Sequence, residues 1–176
     1  MNKPINKVLI LSDNHGDILP MNRIVEAEWP FDVLIHCGDA QCSLDLVLKH
    51  RAEFRLLAVS GNCDFHSSFP EERISKVGDH TVMIAHGHHH FVNFDTDVLV
   101  SAGIRNHADI ICFGHTHVPL IREEKDILVI NPGSLTRSRR YDRTGTYAVL
   151  RTGGQNDRSV VFKSADGDIL DIQIHT

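Results

Sequence analysis

The 176 residues are enough for one compact domain and short for two. Apolar residues make up 41% and charged residues 23%, a composition that excludes general disorder. A net charge of −5 argues against a broad nucleic-acid surface, and no apolar run approaches the ~18 residues of a membrane span. Met1-Asn2-Lys3-Pro4 leads straight into a strand pattern without a signal-peptide core, so a cytoplasmic location is expected.

In chain order, Val8–Ser12 reads as a buried strand, and Leu19–Trp29 as an amphipathic helix stopped by Pro30. Asp32–His36 is a second strand, Ser43–Ala52 a second helix and Phe54–Val59 a third strand. Arg73–Val77 and Thr81–Ala85 flank a Gly78-Asp79 turn and form a hairpin. Asp95–Asn106 is helical and Ile110–Phe113 a short buried strand. Beyond Pro119 the pattern is strands and turns. Leu120–Arg122 and Ile127–Ile130 are joined by Glu123–Asp126, and Tyr147–Leu150 and Val160–Lys163 by Gly153–Asp157. Ile169–Ile174 follows an Ala165–Asp168 turn. No linker or repeat divides the chain, so residues 1–176 are expected to form a single layered α/β domain.

Polar residues able to bind metal follow the apolar runs one after another: Asp13-Asn14-His15, Gly38-Asp39, Gly61-Asn62-Cys63-Asp64, His86-Gly87-His88 and Gly114-His115-Thr116-His117. The carboxyl ends of strands in α/β folds share one edge, where loops distant in sequence assemble a site. Asp13 and His15, two apart, reach one ion if the chain leaves the strand extended; His115 and His117 repeat the spacing. Asp39 stands alone, as a carboxylate bridging two ions would, while Asn62 offers an amide oxygen and His86 an imidazole. Mixed oxygen and nitrogen donors suit Mn²⁺, Fe²⁺, Ni²⁺, Co²⁺ or Zn²⁺ rather than Ca²⁺. Two such ions, two carboxylates and a hydroxide leave a charge of about +1, which attracts an anion. The expected reaction is metal-assisted phosphoester hydrolysis. Each motif alone is commonplace, since Asn, Asp and Gly favour turns and a histidine run can be a solvated loop. The five in order carry the inference.

The ordered set resembles the calcineurin-like metallophosphoesterases, and Asn131-Pro132-Gly133-Ser134 with the short length narrows the resemblance to small bacterial and archaeal phosphodiesterases. It implies a four-layer αββα sandwich of two mixed β-sheets flanked by helices, with a dinuclear centre at the strand ends. By motif, Asp13, His15 and His117 would hold one ion, and Asn62, His86 and His115 the other, with Asp39 bridging. Two divalent ions are implied, Mn²⁺ first and Ni²⁺, Co²⁺, Fe²⁺ or Zn²⁺ as alternatives. The substrate would be a small phosphate diester, attacked in line by a hydroxide bridging the two ions. Asp39, Asn62 and His88 are the candidate catalytic residues, with His88 and Asn14 within reach of a phosphoryl oxygen. Many relatives have His where this chain has Cys63, a weaker acid and hydrogen-bond donor.

Asp64 is read either as support for a metal-ligand histidine or as a turn residue, and Asn131-Pro132-Gly133-Ser134 as shaping a loop near the site, with Ser134 a candidate phosphate contact. Arg137, Arg139, Arg140 and Arg143 form either a solvated loop or a rim for a second phosphate or nucleotide tail. Cys37 and Cys42 are read as buried small residues, and Trp29 and most Phe residues as core. Asn93, Phe94 and His89-His90 belong either to a substrate lip or to a subunit contact, which leaves a homo-oligomer open. The rival functions are a phosphomonoesterase or phosphoprotein phosphatase on the same centre, and a non-catalytic interaction scaffold of the same fold.

Overall fold

Strand β1 (Asn6–Leu11) shows why the chain forms layers. Val8 and Ile10 point to one side and Leu9 and Leu11 to the other, and all four are fully buried. A continuous apolar run of this kind belongs to a strand covered on both faces. The computed structural model describes residues 6–153 and 158–175, with side chains described as far as 170. The expected Gly153–Asp157 loop therefore lies, from 154 onward, outside the described residues.

β1 pairs in parallel with β2 (Val33–His36), and β2 with β3 (Arg55–Ala58). On its other side β1 pairs antiparallel with β9 (Thr146–Thr152), followed by β10 (Arg158–Ser164) and β11 (Ile169–His175). The second sheet runs β4 (Glu72–Val77), β5 (His80–Ala85), β6 (Ile110–Cys112), β8 (Ile127–Asn131) and β7 (Leu120–Glu124). β5, β6 and β8 are parallel, and β4 and β7 pair antiparallel at the edges. Both sheets are mixed, as the resemblance implies.

Val8, Ile10, Val33 and Ile35 of one sheet pack against Val82, Ile84, Ile110, Leu128 and Ile130 of the other. The opposite face of the first sheet is covered by α1 (Ile18–Glu28) and the short α2 (Leu44–Val47). That of the second is covered by α3 (Asp97–Arg105), through Leu99, Val100 and Ala102. The result is the four-layer αββα sandwich. Burial of a Leu, Ile or Val in these layers contributes about 1.5–3 kcal/mol.

The expected helix over Ser43–Ala52 is a correction. It stops at Val47, because Leu48 is extended and His50 adopts φ 55, and a 3-10 turn over Arg51–Glu53 follows. His50 stacks on Trp29 with the rings 4.4 Å apart, a tertiary contact that overrides helical continuity. Expected and observed elements agree closely elsewhere. The β7–β8 turn contracts to Lys125 and Asp126, both at positive φ, which matches the twist of a two-residue hairpin.

Glu28 ties the helical layer to the sheet. It is buried, accepts a hydrogen bond from Tyr147 Oη at 2.8 Å, and pairs with Lys163 Nζ at 2.6 Å and Lys7 Nζ at 3.0 Å. Burial alone would raise its carboxyl, but the bonds from Lys163, Tyr147 and Lys7 hold it below the ordinary glutamate range. Its contribution is therefore complete above the unfolded-chain value and is lost as pH falls through the lower folded value. Glu28→Gln is expected to cost about 2 kcal/mol at neutral pH, with the gap to wild type closing below about pH 4. Urea unfolding across pH measures it; a gap independent of pH contradicts the ionic role.

Candidate metal centre

All five polar motifs sit at the carboxyl ends of β1, β2, β3, β5 and β6, and the two sheets bring them to one edge. The chain does not leave the strands extended. Asp13, His15, Asp39, His115 and His117 have φ of 55, 46, 54, 68 and 59, so the expected extended path is a correction. Left-handed turns swing both members of each Asp-x-His or His-x-His pair inward, at a cost that the surrounding packing must offset. Close packing also requires glycine at two neighbours. A Cβ on Gly61 would collide with the Asp39 carboxylate, and one on Gly114 with Ser12 Oγ.

The proton inventory is informative. His117 Nδ1 lies 2.8 Å from the Arg137 carbonyl, which can only accept, so the neutral ring carries its proton there and presents a lone pair at Nε2. His15 Nδ1 is bonded in the same way to Gln41 Oε1 at 3.0 Å. The two Nε2 atoms face each other at 3.4 Å, and the His117 atom is 3.2 Å from Asp13 Oδ1. Asp13 Oδ1 is buried and without a hydrogen-bond partner, while Oδ2 accepts from Ser12 Oγ at 2.5 Å and the His115 N–H at 3.2 Å. Three atoms able to donate electron pairs to a cation thus converge.

A second set adjoins the first. His86 Nδ1 is 2.8 Å from the Cys37 carbonyl, and Nε2 is 3.4 Å from Asp39 Oδ2 and 3.1 Å from Asn62 Oδ1. Asp39 Oδ1 accepts the Cys63 N–H at 2.7 Å. Burial would raise Asp39, but the bond and charge of His86 hold it well below the carboxylate range. Burial would lower His86, yet Asp39 and Asp13 raise it, because a proton is the counter-charge available without a cation. Asp13, His15 and His117, and likewise Asp13, Asp39 and His86, offer atoms within 4.8 Å of one another. Carboxylate and imidazole donors with an orphaned buried oxygen fit divalent ions.

The remaining expectations divide. His115 lies beside His86, ring centroids 5.1 Å apart, and its Nε2 accepts a hydrogen bond from Asn93 Nδ2 at 2.9 Å, so the neutral ring carries its proton on Nδ1 and an ion would take Nε2 only by displacing Asn93. Burial and nearby His86 lower His115, keeping it neutral. His88 borders the centre 5.4 Å from His86 in the 3-10 turn His88–His90. Its Nδ1 is buried without a partner, and burial lowers it to about 4. Cys63 Sγ groups with His15 and Asp39, and burial followed by Asp39 pushes its thiol up to about 11 despite the Arg137 charge.

Two readings are corrected, and the open one at Asp64 falls to the turn residue. Asn14 does not reach the site: its side chain is buried and bonded to His36 Nε2 at 2.9 Å and the Ala40 carbonyl at 3.1 Å. Ser134 is not a phosphate contact, since it is fully buried and donates to the Asp13 carbonyl at 2.8 Å. Asp64 holds backbone rather than a histidine, accepting the Gln41 and Gly61 N–H groups at 2.7 and 2.8 Å. Sequence reasoning missed His36. Its Nδ1 accepts the Gly38 N–H at 3.3 Å, so Nε2–H must donate to Asn14, and burial keeps it neutral by lowering it to about 4. This buried imidazole joins the loops that carry Asp13 and Asp39. Its only sequence signal is a polar residue ending an apolar strand.

Known proteins resemble this chain in sequence and in fold. The model of the calcineurin-like phosphoesterase superfamily domain matches residues 7–155. The chain belongs to this superfamily. A relative named probable metallophosphoesterase YsnB, from Bacillus subtilis, is 36% identical over 174 residues, 94% of this chain and 96% of its own. Phosphodiesterase YfcE of Escherichia coli is 27% identical, covering 74% of this chain and 79% of its own. A conserved predicted phosphoesterase from Streptococcus pneumoniae superposes with a TM-score of 0.85 at 26% identity, over 98% and 99% of the two chains. Vps29 of Entamoeba histolytica, solved with Zn²⁺, shares the fold with a TM-score of 0.74 at 20% identity, over 96% and 98%.

Divalent metal should stabilise the fold, because it relieves the repulsion among facing donors. Adding Mn²⁺ is expected to raise the melting temperature of chelator-treated protein. The rise should shrink at low pH, where His86 keeps its proton, and nearly vanish in Asp13→Asn or His117→Ala. Differential scanning fluorimetry measures it; an undiminished rise in both variants contradicts the assignment.

Proposed function

We propose that the chain is a metal-dependent phosphodiesterase acting on small phosphate diesters. The observation that carries this reading is the pair of adjoining donor sets that meet at Asp13 and Asp39. Asp13, His15 and His117 would hold one ion, Asn62, His86 and His115 the other, and Asp39 both, with Mn²⁺ the first choice. Two such ions would supply a nucleophilic hydroxide at neutral pH and would neutralise charge developing on phosphoryl oxygens.

The chain's own residues complete the site. His88 borders the centre as a neutral imidazole able to hydrogen-bond a phosphoryl or leaving oxygen. Arg137 is exposed, its guanidinium is within electrostatic reach of Cys63, and its backbone fixes His117 and Ser134. Of the basic run, Arg140 is engaged by Asp142 at 3.0 Å, so Arg137 is the better candidate to meet substrate charge.

The phosphodiesterase name of YfcE favours diesters over monoesters. Metal binding alone does not distinguish an enzyme from a scaffold, since Vps29 has the fold and was solved with zinc. Turnover does. Metal-stripped protein reconstituted with Mn²⁺ is expected to cleave bis(p-nitrophenyl) phosphate faster than p-nitrophenyl phosphate. Asp39→Asn should lose several kcal/mol of transition-state stabilisation, more than Asn62→Ala, because it removes the only carboxylate shared by both ions. A preference for the monoester supports the phosphatase alternative, and no turnover with any ion supports the scaffold.

Cys63 sets a second expectation. A thiol near 11 is a poor proton donor at neutral pH, so the rate should depend steeply on leaving-group pKa. Cys63→His should flatten that dependence, and Cys63→Ser should change little. A Brønsted series of aryl and alkyl diesters checks this; a shallow wild-type slope assigns proton donation to another group, with His88 the nearest candidate.

A further inference from the structure

A trough leaves the metal centre between the loop that follows β2 and the loop that follows β3. Its near part, about 280 Å³, is lined by Gln41, Cys63, Phe65 and His66 among others. A second part, about 260 Å³, shares Cys42, Ser43, His66 and Ser67 with the first and extends it away from the centre. The trough begins at candidate ligands: Gln41 is bonded to His15 at 3.0 Å, and the Cys63 N–H to Asp39 at 2.7 Å.

The lining is specific in what it lacks. Among the described residues, no Lys or Arg lines either part. Both carboxylates there are engaged, Asp64 by backbone N–H groups and Asp45 by Arg51 at 2.7 Å. Hydroxyls, an amide and an imidazole remain, with the ring of Phe65. That ring departs from the expectation that most Phe residues are core, being 83% exposed. The loop bearing it is nonetheless well fixed. Ser67 N–H bonds to the Asp64 carbonyl at 3.1 Å, Ser60 N–H to the Pro70 carbonyl at 2.9 Å, and Phe69 packs into the helical layer. An aromatic face held open beside polar groups suits stacking of a flat ring whose edges form hydrogen bonds.

We propose that this trough holds one ester arm of the substrate, and that this arm is uncharged and aromatic, of the nucleoside type, stacked on Phe65. The proposal rests on the phosphodiesterase reading and adds the substrate class. A second phosphate on that arm would find no Lys or Arg among the residues lining the trough.

Calorimetric titration of Mn²⁺-loaded protein with two non-hydrolysable probes, methylphosphonate and the 5′-methylenephosphonate analogue of adenosine monophosphate, separates the two claims. Methylphosphonate reports the metal centre alone. The adenosine probe is expected to bind about 5- to 150-fold tighter, the advantage that stacking of one base supplies. Phe65→Ala should remove that advantage while leaving methylphosphonate affinity within about twofold, and Phe65→Tyr should retain it. Equal affinities of the two probes for wild type, or an advantage that survives Phe65→Ala, would overturn the trough assignment while the phosphodiesterase reading stands. Failure of both probes to bind overturns that reading and the proposal with it.

Discussion

Carboxylate and imidazole donors crowded together with little counter-charge govern this edge of the molecule. Asp13 Oδ1, the Nε2 atoms of His15, His86 and His117, and the Asp39 carboxylate all point inward. Backbone carbonyls of Cys37 and Arg137 and the side chain of Gln41 engage the opposite face of each of these three rings. Such an arrangement is repulsive by itself and becomes favourable around cations. Carbonyls on the far ring nitrogens fix tautomer and orientation together, so the imidazoles are ready as ligands before any ion arrives.

The double sandwich makes this convergence affordable in structural terms. Fully buried strands anchor each loop immediately before its polar residues, and the interior between the sheets keeps the two rows of strand ends in register. Left-handed turns at five candidate ligands cost of order 1–3 kcal/mol each in isolation, so they persist only because the neighbouring packing over-determines them. His36, Asn14, Ser134 and Asn131 supply much of that constraint. None of their side chains is exposed, yet each bonds a loop that carries a ligand or the loop beside it. Mutations at these buried polar positions would damage the centre through geometry rather than through lost chemistry.

Much of this was legible from residues alone. Apolar runs locate the strands because both sheet faces are covered, and Pro30 and the Gly78-Asp79 pair mark real boundaries. The five motifs locate the site because polar residues follow the strands directly. The route of the chain through those motifs was not legible, since positive φ at Asp and His depends on tertiary bonds such as Asp13 N–H to the Gly38 carbonyl. Polar residues of similar type also proved interchangeable on paper. Asn14 and Ser134 looked able to meet phosphate, but their burial commits them to holding the scaffold, while nothing in the sequence set Phe65 apart from the Phe residues of the core. The helix across residues 43–52 failed for a related reason, the stacking of His50 on Trp29.

The central claim is that two adjoining donor sets, sharing Asp39, each take a divalent ion. Anomalous diffraction from crystals grown with Mn²⁺ tests it directly. The account predicts two peaks flanking the Asp39 carboxylate, one among Asp13, His15 and His117 and the other among Asn62, His86 and His115. A single peak at saturating metal, or two peaks of which neither contacts Asp39, would contradict it.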